Sequence, residues 1–212
     1  MLRRGILVTF EGIDGSGKTT QINMLVDWFC KNGISYKLFR EPGGTLIGEK
    51  IREILLDKGS SGMYPATELF LYSASRYQLT RERIIPALEE GYVVICDRYY
   101  DSSTAYQGYG RDIDLDFIYE LNKFTSCGVE PDVTFLLDIT VEEREKRLAG
   151  RSLDRLELED RAFQERVRKG FLELAGKYGE RFVVLDGIKT PQEIFEEVVR
   201  SLEPLLGKKR LV

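Results

Sequence analysis

The chain has 212 residues, enough for one core and short for two ordinary domains. A hydrophobic content of 42% excludes a disordered chain, and a formal net charge of -4 argues against a nucleic-acid partner, because duplex affinity rests on lysine and arginine displacing counterions. Three cysteines with no Cys-x-x-Cys spacing give neither a disulfide framework nor a zinc site, and the absence of histidine removes imidazole as a proton shuttle.

Residues 6–10 read as a first strand, ended by Glu11 too early for a signal-peptide core. A helix comes next over 19–31 with Ile22, Leu25, Val26 and Phe29 on one stripe, and Gly33 stops it. A second strand over 36–39 is broken by Pro42-Gly43-Gly44. Helices are predicted over 47–56 and 66–79, and Pro86 sits in a further helical stretch. Residues 92–96 are apolar throughout, as a parallel strand covered on both faces should be. Next come a helix over 115–125, a strand over 133–137 and a helix over 141–148. Charge and glycine interrupt the pattern at 150–155. A helix over 156–177, a strand over 182–185 and a helix over 191–206 complete the chain. Five short strands separated by helices predict an α/β fold, with a five-stranded parallel sheet and helices on both faces. No linker divides it, so 1–212 reads as one domain with a mobile lid near 147–157. No stretch is long enough to span a bilayer, the Lys208-Lys209-Arg210 end reads as solvated, and a reducing cytoplasm suits the cysteine usage.

Gly12-Ile13-Asp14-Gly15-Ser16-Gly17-Lys18-Thr19 lies between a strand and a helix, the context that makes a Gly-x-x-x-x-Gly-Lys-Thr pattern a phosphate loop. The glycines let backbone N–H groups turn inward, and the succeeding helix adds the positive end of its dipole. Lys18 is expected on the terminal phosphates of a nucleoside triphosphate and Thr19 on magnesium. Two strands end in aspartate, Asp97 and Asp138. Asp97 is the expected metal partner because Arg98 stands directly after it, whereas Asp138 suits a helix cap. Asn122-Lys123 lacks the aspartate of a guanine-reading motif, since position 125 is threonine.

Arg76, Arg98, Arg151 and Arg155 point to a second, phosphorylated substrate. Bringing a phosphomonoester to a triphosphate costs about 4 kcal/mol per unit-charge pair at 4 Å and an effective dielectric near 20. Planar guanidiniums suit the task of offsetting it. A phosphomonoester is largely dianionic at neutral pH, so its oxygen is already a nucleophile and no general base is needed.

Four stretches in order carry a specific resemblance. They are Phe10-Glu11-Gly12-Ile13-Asp14-Gly15-Ser16-Gly17-Lys18-Thr19-Thr20, Arg40-Glu41-Pro42-Gly43-Gly44-Thr45, Asp97-Arg98-Tyr99 with Ser102 and Ala105-Tyr106-Gln107-Gly108, and Leu153-Asp154-Arg155-Leu156-Glu157. Together they resemble the thymidylate kinases. The resemblance implies a P-loop NTPase fold, transfer of phosphate from ATP to dTMP with Mg2+, and a homodimer. It places the loop residues 12–20 and the lid residues Arg147, Arg151 and Arg155 on ATP. Arg98 goes to the acceptor phosphate with Arg52 nearby, and Arg76 to the thymine edge. Tyr72 stacks on the base where the family commonly has phenylalanine. Ser103, Thr104 and Gln107 become candidate base contacts, and Tyr106 packs where a ribose 2'-hydroxyl would project. Asp14 stands where some members carry a catalytic arginine, so this chain resembles the bacterial type with the arginine, Arg151, in the lid. Another nucleoside monophosphate or deoxynucleoside kinase, or a regulatory module that holds ATP without transferring it, remains open at this level.

Overall fold

The structure, a computed structural model, describes residues 5–210. Met1–Arg4 and the side chains of Lys208, Lys209 and Arg210 lie outside the described residues. The five predicted strands are present as β1 (Ile6–Glu11), β2 (Tyr36–Arg40), β3 (Val93–Asp97), β4 (Val133–Asp138) and β5 (Phe182–Asp186). They form one parallel sheet in the order β2-β3-β1-β4-β5. The apolar runs β1, β3 and β4 take the three central places and are buried almost throughout. The edge strands β2 and β5, more mixed in composition, are half open to solvent.

Alternation along β1 divides the core. Ile6, Val8 and Phe10 pack against Leu25 and Phe29 of α1 (Lys18–Lys31) and Val198 and Leu202 of α9 (Pro191–Arg210). Leu7 faces the other way, onto Leu79, Ile84 and Leu88. The neighbouring strand β4 sends Leu136 onto Phe163, Val167 and Phe171 of α8 (Arg161–Lys177). Register places Phe10 beside Asp97, so the carboxyl ends of the central strands, with Glu11, Asp97 and Asp138, gather at one rim of the sheet. Ligands of open parallel sheets bind at that rim.

The remaining helices are α2 (Leu46–Leu56), α3 (Pro65–Leu79), α4 (Ile85–Glu89), α5 (Tyr100–Ser103), α6 (Leu115–Thr125) and α7 (Val141–Leu148). Thr80–Ile84 is a π-helical turn that joins α3 to α4. It sits just before Pro86, which has no N–H for the carbonyl four residues back, and the wider turn absorbs the missing bond.

Two expectations need correction. The helix predicted from 156 begins at Arg161. Asp154 Oδ1 instead accepts the Leu156 and Glu157 N–H groups, a local turn that competes with helix, and Asp160 then caps α8 through the Phe163 N–H. The glycine-containing stretch after β3, given no element from sequence, is helical, and Thr104–Gly110 is a second π-helix.

Candidate active site

The phosphate loop forms as its glycines demand. Gly12 has φ 132° and Gly17 φ 102°, and a Cβ on Gly12 would run into the Leu137 carbonyl. Gly17 supplies no side-chain cap to α1, so the first-turn N–H groups of that helix remain free to meet an anion. Lys18 Nζ donates to the Gly12 and Ile13 carbonyls at 3.0 and 3.2 Å. Burial and the nearby Arg98 charge bring its pKa down to about 8, outweighing the carboxylates around it.

A polar cleft of about 630 Å³ opens over this loop. Lys18, Thr19 and Thr20 form its floor, Arg147 and Arg151 come from the lid side, and Asp97 comes from the end of β3. Arg147 is pinned there. Its guanidinium donates to Glu143 at 2.8 Å, to Gly187 O at 2.8 Å and to Gly15 O at 3.3 Å. Arg151 lines the same cleft with its side chain in no hydrogen bond or ion pair with the described residues. Asp97 Oδ1 is buried and has no hydrogen-bond partner, and Thr19 lines the cleft beside it. An orphaned carboxylate oxygen next to a threonine in a phosphate cleft fits a magnesium ion, which takes one or two protein oxygens and completes its shell with water and phosphate. A wider cleft of about 770 Å³ between α1, β2 and α4 also reaches Thr19 and Asp97.

A second cavity adjoins the first. Tyr72, Ser103, Tyr106 and Gln107 line a narrow slot of about 90 Å³, floored by Pro42 and Leu156. Slot and cleft share Asp14, Glu41, Arg52, Arg98 and Asp154. Arg98 is held at this junction in the left-handed region, with φ 69°, a strained placement for a side chain as large as arginine. Its guanidinium donates to Gly12 O at 2.9 Å, to Ser102 Oγ at 3.1 Å and to Asp14 Oδ1 at 2.5 Å. Tyr106 stacks beneath Arg98, 5.2 Å from the ring centre, and donates its hydroxyl to Asp14 Oδ2 at 3.1 Å. Burial raises the Asp14 carboxyl, but the charges of Arg98 and Lys18 win and hold it far below the usual carboxylate range. Arg52 donates to Pro42 O at 3.0 Å. The slot, at about 90 Å³, is smaller than ordinary ligand pockets, which run to about 300–1,000 Å³.

Three predicted site residues lie elsewhere. Arg76 does not line the slot. Its Nε donates to Glu41 at 2.8 Å, one Nη to Asn122 at 3.0 Å and the other to Ser103 at 2.7 Å, so it braces Ser103 from behind. Thr104 is turned inward, accepting from Asn122 Nδ2 at 3.0 Å. Arg155 is absent from the phosphate cleft. It lies buried with Nη1 2.6 Å from Glu68 and Nε donating to Leu55 O, and its own N–H bonds to Leu56 O, which ties this residue to the end of α2.

Sequence reasoning missed four acidic or amide residues around the site. Glu11 accepts the Tyr99 N–H at 2.7 Å and the Ser102 hydroxyl at 2.6 Å, and burial together with Asp101 pushes its pKa up to about 8. Glu41 is raised by burial to about 7 in spite of Arg76. Glu68 and Asn122 anchor arginines from distant segments. Glu11 and Glu41 carried a signal in the sequence, each standing at or just past the end of a strand.

The comparisons with known proteins point to one family. A family profile described as "Thymidylate kinase" matches residues 10–198. The thymidylate kinase of Caldanaerobacter subterraneus subsp. tengcongensis is 46% identical over 203 residues, covering 96% of this chain and 97% of that protein. That of Carboxydothermus hydrogenoformans is 47% identical over 205 residues, covering 96% and 100%. Among solved structures, the crystal structure of thymidylate kinase from Ehrlichia chaffeensis superposes with a TM-score of 0.78 at 35% identity, over 94% of this chain and 99% of that one.

Proposed function

This chain belongs to the thymidylate kinase family, ATP-dependent nucleoside monophosphate kinases, and from that premise we propose how its residues carry the γ-phosphate of ATP to dTMP, giving dTDP and ADP for dTTP synthesis. The observation that carries the reading is the meeting of two cavities at Arg98 and Arg52. The phosphate cleft takes the triphosphate and the aromatic slot takes the nucleoside. Only at the junction can the two phosphate groups approach.

The phosphate loop and Lys18 hold the ATP phosphates. The dTMP phosphate lies between Arg98 and Arg52, whose charges offset the repulsion between the two anions. Arg151, with its side chain otherwise unengaged, closes from the lid onto the transferring group. Arg147 stiffens the loop from outside by gripping its carbonyls. Asp97 and Thr19 would hold Mg2+, which supplies charge neutralisation along the β- and γ-phosphates when bound. No residue at the junction has to take a proton, because the acceptor oxygen of a phosphomonoester is already anionic. Tyr72 stacks on the base, and Tyr106 fills the space that a 2'-hydroxyl would need.

A panel of monophosphates with ATP and Mg2+ tests this reading. The expected order puts dTMP first, and faster turnover of UMP or GMP would refute it.

We also infer a cytoplasmic homodimer. Among the described residues no helix is long and apolar enough to cross a membrane. The outer faces of α3 and α6 expose Phe70, Tyr77, Phe117 and Phe124, paired across the two helices with ring centres 6.3 and 5.6 Å apart. A contiguous aromatic patch of this kind favours burial against a second copy.

A further inference from the structure

Glu68, on α3, is almost completely buried and takes three partners from outside its own helix, two of them charged. Arg111 donates to both of its oxygens, at 3.1 and 3.0 Å, and Arg155 approaches Oε2 at 2.6 Å. The third partner is different. Gln107 donates its Nε2 to Glu68 Oε1 at 3.0 Å. Burial pushes the Glu68 carboxyl up, but the hydrogen bonds from Arg111 and Gln107 outweigh it and hold it below the ordinary value.

An ionised carboxylate can only accept, so it admits one orientation of a neighbouring amide, with the NH2 toward it. The Gln107 Oε1 must then point away from Glu68. That oxygen has no hydrogen-bond partner among the described residues, and Gln107 lines the nucleoside slot. We propose that Glu68 is a positioning residue for base selection, locking the Gln107 amide so that the slot presents a hydrogen-bond acceptor to the base. This rests on the reading of the slot as the dTMP site.

An acceptor suits bases with an N–H at ring position 3, as in thymine and uracil. Cytosine carries an acceptor at that position, and two facing acceptors leave both unpaired in a buried site, the costly arrangement that gives polar specificity. The same carboxylate ties the slot to the lid. Arg155 lies in the lid segment, and Arg111 also pairs with Glu159 at 2.6 Å, so base orientation and the lid root share one anchor.

The test is equilibrium binding of dTMP and dCMP to the parent, E68Q, Q107A and the double variant, with steady-state kcat for dTMP. Preferential binding of dTMP by the parent establishes the slot reading, and a parent without that preference refutes the reading itself. Given that preference, E68Q is expected to weaken dTMP about tenfold with dCMP unchanged or tighter. Saturating kcat is expected to fall less than the dTMP affinity, because the Gln107 contact is to the base rather than to the reacting atoms. Q107A should lose a similar factor, and the double variant no more than either single one. Equal weakening of both nucleotides by E68Q, or additive losses in the double variant, would overturn the proposal and leave Glu68 as a strut only. Q107A alone decides if E68Q does not fold, since an unchanged dTMP-to-dCMP ratio in that variant also overturns it.

Discussion

The Arg98 guanidinium donates to the Asp14 carboxylate at 2.5 Å, binding the end of β3 to the phosphate loop across the mouth of the nucleoside slot. Asp14→Asn keeps the shape and removes the charge that fixes Arg98. We expect kcat to fall about tenfold or more and stability at neutral pH to drop by roughly 1.5–3 kcal/mol, the range for a hydrogen bond to a charged group. The depressed carboxyl sets the sign with pH. Its contribution is complete above the unfolded-state value of 3.8 and is lost as the pH falls toward the lower folded-state value, so the variant should lack that part of the parent's acid sensitivity. Urea titrations at several acid pH values measure both effects.

Tyr106 has two separable parts. The ring packs near Phe163 and Phe171, while the hydroxyl reaches Asp14. Tyr106→Phe should retain discrimination against ribonucleotides and lose about fivefold or less in kcat. Tyr106→Ala should raise kcat/KM for UMP relative to dTMP. An alanine variant as selective as the parent would remove the ring from the specificity argument.

Arg151→Ala should lower kcat by about a hundredfold or more with the KM for dTMP within a factor of about three, since its charge is assigned to the transition state. Single-turnover kinetics distinguish this from slowed product release.

Stability should decline as the pH rises from 5 to 8. Glu11 and Glu41, raised from 4.5 to about 8 and about 7, keep their protons in the fold at pH values where the unfolded chain releases them. Their stabilising contribution is complete below the unfolded-state value and is lost as the pH passes the folded one. With no histidine in the chain, no imidazole titrates in the same window. Glu41→Gln should flatten the fall in Tm between pH 5 and 7.5, and a slope equal to the parent's would show that Glu41 does not titrate there.

Phe124→Glu places a charge in the stacked pair with Tyr77. Sedimentation analysis should show a dimer for the parent and a monomer for the variant at micromolar concentration. A parent that sediments as a monomer would overturn the dimer proposal.

The central strands and the phosphate loop were readable because buried parallel strands are apolar throughout and because glycine spacing fixes the loop. Helical stretches with a 3.6-residue stripe, such as α1 and α6, were equally plain. Thr104–Gly110 was not, since a π-helix bonds five residues back and has no such stripe, and its glycines read as breakers. Arg151 and Arg155 look interchangeable in the sequence, four residues apart. Only the Glu68 carboxylate and the carbonyls ending α2, which hold Arg155, send one to the phosphate cleft and the other to the core. Glu68 looks like a surface charge for the same reason, because its partners come from segments tens of residues away.

The π-helix over Thr104–Gly110 makes the nucleoside slot depend on residue count as much as on residue kind. The Arg111 N–H bonds to the Tyr106 carbonyl five residues back, so this segment carries more residues per turn than an α-helix would. Deleting one residue between Arg98 and Tyr106 lets it relax to α pitch and rotates the side chains beyond the deletion by roughly 100°. Tyr106 would swing off Asp14, and Gln107 off Glu68, with neither side chain altered. A glycine-containing stretch that looks tolerant of insertions and deletions is thus among the least tolerant in the chain.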